Sequence, residues 1–165
     1  MRHTKKRVTG IALAAVSALL AGGILAGCGN EADEAAEQVE IIEISVETDQ
    51  FTSLDLGQPG PNIGDRYVYS GVLRENGRET GYGGGSCEFI RIDNGKTTMQ
   101  CVLSADFERG SVTMQALWVE GASPLDMAIT GGTGAYRDAR GIFKFWDIAT
   151  PQERARAEIA HRAPD

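Results

Sequence analysis

The stretch GGTGAYRDARG, residues 131–141, decides how this 165-residue chain is read. Its glycines are spaced like those of a loop that cradles phosphate. A phosphate loop needs a strand before it and a helix after it, because the helix N-terminus supplies the N–H donors and positive potential. DMAIT, residues 126–130, precedes the glycines and reads as a strand. GIFKFWDI, residues 141–148, follows them and also reads as a strand. No Gly-Lys-Ser/Thr ending is present. The glycines therefore serve a tight strand-to-strand connection with positive φ angles rather than a nucleotide.

Outward from this loop the chain is a series of short strand patterns. VEIIEISVE begins at Val39, DRYVYSGVLRE at Asp65, SCEFIRI at Ser86, KTTMQCVLSA at Lys96 and GSVTMQALWVE at Gly110. Each is rich in β-branched and aromatic residues. Between them lie the turn-forming clusters GQPGPNIGD, ENGRETGYGGG and EGASP. Many short strands with no helix between them predict an all-β antiparallel barrel or sandwich over residues 39–149. One helix is expected in the C-terminal tail, residues 150–165. Thr150 reads as its N-cap, Pro151 as its first residue and Glu153 as the partner in a capping box.

The N-terminus has its own organisation. MRHTKKR is basic, and residues 8–27 carry no charge and end in LAG before Cys28. This resembles a bacterial lipoprotein signal, with residues 1–27 removed and Cys28 carrying the lipid. An uncleaved membrane helix is the alternative, since ~20 apolar residues span a bilayer. Either places the domain outside the cytoplasm, tethered to a membrane. Residues 28–38 then form an acidic tether. Removing Arg2, Lys5, Lys6 and Arg7 from the 16 basic residues leaves 12 against 23 acidic ones, a net charge of −11. Such a surface repels phosphate backbones, which argues against nucleic acid as a partner.

Cys87 and Cys101 remain. A three-residue loop at Asp93, Asn94 and Gly95 pairs Ile92 with Lys96, and stepping outward sets Cys87 opposite Cys101. Outside the cytoplasm that pair is expected as a disulfide, the alternative being two buried thiols.

AITGGTGAYRDARG followed by an aromatic strand resembles the signature of the allene oxide cyclase/dirigent-like barrel superfamily. The likeness runs from Val39 to Ile148 and includes LGQPGPNIGDRYVYSGVL and GYGGGSCEFI. It implies a small eight-stranded antiparallel barrel with an apolar cavity, and a homo-oligomer, since related barrels are dimers or trimers. Members guide cyclisation or coupling of apolar small molecules. Bacterial relatives include pericyclases that close polyketide rings by (4+2) cycloaddition, as in spirotetronate, spirotetramate and polyether pathways. The resemblance also aligns Glu43 and Cys87 with a Glu and a Cys of the plant cyclases. Ser45 stands where the plant pattern has Asn, so the plant activity is not carried over.

The residues themselves support the same kind of chemistry. His3 lies in the leader and His161 near the chain end, so no Ser/His/Asp set assembles. No His, Cys and acid cluster has metal spacing, and no flavin or nicotinamide motif appears, so neither metal nor cofactor is expected. What is left is a shaped cavity. The residues expected to orient a substrate are Tyr67, Tyr69, Gln115, Trp118 and Glu43. The expected pocket wall is Phe89, Met99, Leu103, Met114 and Phe143, with Tyr136 gating the mouth. For the aromatics, ordinary core packing is the competing role. For Glu43 it is a solvated strand face. The expected ligand is an apolar small molecule, either closed into a ring or carried unchanged by a surface lipoprotein.

Overall fold

Alternation of buried and more exposed side chains organises much of the domain. The computed structural model describes residues 37–162. The leader, Cys28 and most of the tether lie outside the described residues. Eight strands follow one another, each pairing antiparallel with the next: β1 (Glu37–Leu54), β2 (Arg66–Glu75), β3 (Arg78–Asp93), β4 (Lys96–Phe107), β5 (Gly110–Val119), β6 (Leu125–Gly132), β7 (Arg140–Trp146) and β8 (Arg154–Arg162). β8 pairs back onto β1, from Ser45 opposite Arg154 to Glu37 opposite Arg162, and closes the barrel. Closure gives every strand a partner on both sides over at least part of its length.

Period two decides what fills the barrel. On β4, Met99, Cys101, Leu103 and Ala105 are buried while Val102, Ser104 and Asp106 face solvent. Leu125, Met127 and Ile129 do the same on β6, and Phe143 and Phe145 on β7. Met99, Met114, Met127, Phe143 and Ile159 are fully buried in the middle of the barrel. Each such side chain contributes roughly 1.5–3 kcal/mol by leaving water.

Three sequence expectations are corrected here. The tail is not a helix. Residues 154–162 form β8, and Ala155, Ala157, Ile159 and His161 point inward. The capping signals are real but serve a turn: Glu153 N–H donates to the Thr150 carbonyl at 3.1 Å and Ala149 N–H to Glu153 Oε2 at 2.9 Å. Closing the barrel outweighs the helix propensity of the alanines. Second, residues 78–85 are strand rather than linker, turning at Asn76 and Gly77, both with positive φ. β1 likewise starts two residues early, at Glu37. Third, the β3–β4 turn has two residues, Asn94 and Gly95, with Asp93 opposite Lys96. A register shift between Phe89 and Arg91 restores the lost residue, so Cys87 still faces Cys101, and the two form a disulfide.

The barrel has unlike ends. At one, residues 133–139 fold inward around a single 3-10 turn, Gly134–Tyr136. Backbone there lies close against backbone. A Cβ on Gly132 would sit 2.0 Å from the Ser111 carbonyl oxygen, and one on Gly141, at φ +135°, would sit 1.9 Å from that of Glu158. Only glycine fits such approaches, which accounts for the glycines of the opening stretch. Tyr136 is buried across this end, edge-on to Phe107 and to His161. Its hydroxyl accepts from Arg109 Nη2 at 2.9 Å, and Arg109 also pairs with Glu40. Glu40 lies 3.2 Å from His161 Nε2. Tyr136 therefore seals the closed end and is not a gate at the mouth. His161 is buried on β8, not near a frayed end.

Candidate active site

The other end is open. It is bounded by the far half of β1, the 120–123 loop and the segment 147–153. β1 is the cause. Its pairing with β8 stops at Ser45, while its pairing with β2 continues to Leu54. Beyond Ser45 the strand leans away from β8, and a register shift between Thr48 and Gln50 turns Phe51 toward the inner side, opposite Tyr69. The space so opened is a cavity of about 1160 Å³. Ligand pockets are typically ~300–1,000 Å³. Below it lies an inner chamber of about 50 Å³, too small for a substrate.

Aromatic rings line the mouth. The Tyr67 ring packs against Phe51 at 5.5 Å and edge-on to Phe89 at 5.2 Å. Tyr67 Oη donates to Glu120 Oε1 at 2.8 Å, and Trp118 Nε1 donates to the Ala122 carbonyl at 2.8 Å. Both donors are thus occupied, and these residues offer ring faces to a ligand. Tyr69 differs. Its recorded polar contact is a weak one, 3.8 Å from the disulfide sulfur of Cys87. Burial, with Glu153 nearby, pushes its phenol well above the ordinary tyrosine range. It stays protonated, as a donor. Burial likewise pushes the Glu153 carboxyl up, partly countered by the Ala149 N–H. Glu153 lines both the mouth and the chamber.

The structure sorts the residues named from sequence. Tyr67, Tyr69 and Trp118 meet at the mouth. Leu103, Met114 and Phe143 line the inner chamber. Phe89 and Met99 pack in the core and line neither space. Glu43 and Gln115 do not face the interior. Ile42 and Ile44 are the buried residues of β1, so Glu43 between them points out and pairs with Arg156 at 2.9 Å. Met114 is the buried residue of its pair on β5, which leaves Gln115 in solvent. Sequence reasoning missed Phe51, Glu120, Ile148 and Glu153 as mouth residues. Phe51 depends on the register shift in β1, which leaves no trace in the residues. Glu153 had a signal, its capping pattern, but was read as part of a helix.

The chain is an eight-stranded barrel that is closed at one end and opens at the other into an aromatic-lined cavity. The family model described as allene oxide cyclase barrel like domain matches residues 40–160, and the chain belongs to that family. No curated protein sequence matches it. Among solved structures it is similar to a pyocyanin demethylase, with 31% identity over 73% of this chain and 99% of that one, TM-score 0.69. It shares the fold of a Diels–Alderase from Streptomyces koyangensis, at 18% identity over 81% of this chain and 72% of that one, TM-score 0.60. It shares it also with a pterocarpan synthase dirigent protein, at 16% identity over 78% and 88%, TM-score 0.60.

Proposed function

We propose that this protein is an enzyme of the cyclase kind that holds a largely apolar small molecule in the open mouth and folds it for ring closure, as in a (4+2) cycloaddition. The observation that carries this reading is the cavity of about 1160 Å³ between Phe51, Tyr67, Tyr69 and Trp118. Holding a flexible chain in a near-attack fold can remove up to ~7–11 kcal/mol of barrier. Tyr69 is the donor to a substrate oxygen that gains charge, and Glu153 is the acid. Membership of a barrel family named for a cyclase supports this.

A second reading has a specific observation behind it. The 31% identity to pyocyanin demethylase spans nearly all of that protein. It favours demethylation of a small molecule in the same mouth. Incubating the purified protein with an organic extract of its source and comparing products by liquid chromatography–mass spectrometry separates the two. An isomer of unchanged mass supports ring closure, and a product lacking one methyl supports demethylation. A compound that only co-purifies unchanged makes the protein a carrier and ends both enzymatic readings. We carry the lipid anchor at Cys28 as a proposal; the intact mass of the mature protein tests it.

A further inference from the structure

We propose that the free edge of β1 pairs with itself, joining two copies of this chain beside the open mouth. The pairing stands or falls apart from the chemistry assigned to the mouth. β1 runs for 18 residues, and only its first half has a strand on each side. Val46 N–H donates to the Glu153 carbonyl at 2.9 Å, and from Glu47 to Leu54 the backbone pairs with β2 alone among the described residues. In an antiparallel pair, alternate residues turn their N–H and C=O groups away from the partner strand. Here those groups have no strand beside them. Every residue from 47 to 54 is exposed, Phe51 at 60% and Leu54 at 41%. Such an edge is a template for another extended strand.

The strand that fits this edge is the chain's own. Past the register shift, residues 50–54 pair regularly with β2 and carry no charge. Laid antiparallel on itself about Thr52, the stretch sets Gln50 opposite Leu54, Phe51 opposite Ser53 and Thr52 opposite Thr52, so no like charges meet. The flanking acids are engaged elsewhere. Asp49 accepts from the Ser70 hydroxyl at 2.6 Å, and Asp55 from the Gly60 N–H at 3.4 Å. Two chains of net charge −7 repel one another as wholes, and an uncharged edge lets them approach. The same strand borders the cavity, on the side where β8 has stopped. A second strand laid there walls the mouth, so the partner copy completes the site. A two-fold axis at Thr52 makes the contact isologous and closes it at two copies.

Sedimentation of the purified protein from about 1 to about 100 µM tests this, with a dimer expected to form across the range. Thr52→Lys sets two ammonium groups face to face and should weaken the dimer about fivefold or more at low salt. Far-UV circular dichroism should not change, because the position is exposed. Thr52→Cys should give a covalent dimer under mild oxidation beyond that of the unaltered protein, while Ser104→Cys, exposed on the outer face of β4, should not. If Thr52→Lys loses its strand signal, the crosslink of Thr52→Cys decides. A protein that stays monomeric at the top of the range overturns the inference. So does a dimer untouched by Thr52→Lys, a Ser104→Cys chain that crosslinks as readily, or an assembly of three copies. None of these outcomes bears on the chemistry of the mouth, which the product analysis decides alone.

Discussion

Glu153 shows how one side chain can hold a turn and line a site at once. Its carboxyl caps the 147–150 turn and faces the cavity, and burial favours its protonated form. A carboxyl held above its unfolded value stabilises the fold at pH below that unfolded value. The contribution is lost as pH rises through the folded value. Thermal melts of the wild type and Glu153→Gln should therefore converge in acid and separate toward neutral pH, with the variant the more stable. A separation that grows in acid would contradict the shift. On an identified substrate the same variant should lose ~10²-fold or more in turnover. Glu43 and Gln115 make the opposite test. Both point outward, so Glu43→Ala and Gln115→Ala should change stability by no more than ~0.5 kcal/mol and leave turnover intact. Glu43 was expected to orient a substrate, because apolar residues stand on both parities of VEIIEISVE; the burial of Ile42 and Ile44 turns it outward. Glu153 was not legible either, because a capping pattern looks the same whether a helix or a single turn follows it.

Among the elements, the β3–β4 hairpin shows two local features compensating. The turn is one residue shorter than expected, and the register shift before Arg91 supplies the missing residue. The facing of Cys87 and Cys101 was correct from the sequence, while the turn that produces it was not. Their bond closes a loop of sequence separation 14. Replacing both cysteines by Ala should cost roughly 3 kcal/mol, read from the urea midpoint, with no change in strand content. A cost near zero would mean that the hairpin needs no such constraint. β8 is the element the sequence obscured. Ala155, Ala157, Ile159 and His161 alternate with Arg154, Arg156 and Glu158, which is the pattern of a half-buried strand. The alanines and charges also suit a helix, and nothing local chooses between them.

For the molecule as a whole, β8 is the strand that makes the barrel closed. It pairs with both β1 and β7. A helical tail would be dispensable; a closing strand is not. A chain ending at Thr150 should expose two sheet edges and a packed interior, and so be lost to aggregation or unfolding. Far-UV circular dichroism and gel filtration decide the point. A soluble, folded truncated form would mean the seven-stranded remainder is stable alone. The same closure explains why the site lies where it does. The sheet is shut along its length and plugged at one end by Tyr136, so only the leaning half of β1 leaves room for a ligand.

The residues by themselves determined the all-β class, which side chains of a strand share a face, the cysteine pair and the non-nucleotide nature of the 131–141 loop. These follow from period-two burial and from glycine's backbone freedom, both local properties. Three things waited for the tertiary structure. The tail became a strand because β1 and β7 each needed a neighbour. Phe51 came to the mouth because a register shift re-aimed it. Glu120 and Glu153 acquired their roles because loops distant in sequence meet at one end of the barrel. Each is a property of pairing between distant segments, where the deciding contact lies outside any local window of sequence.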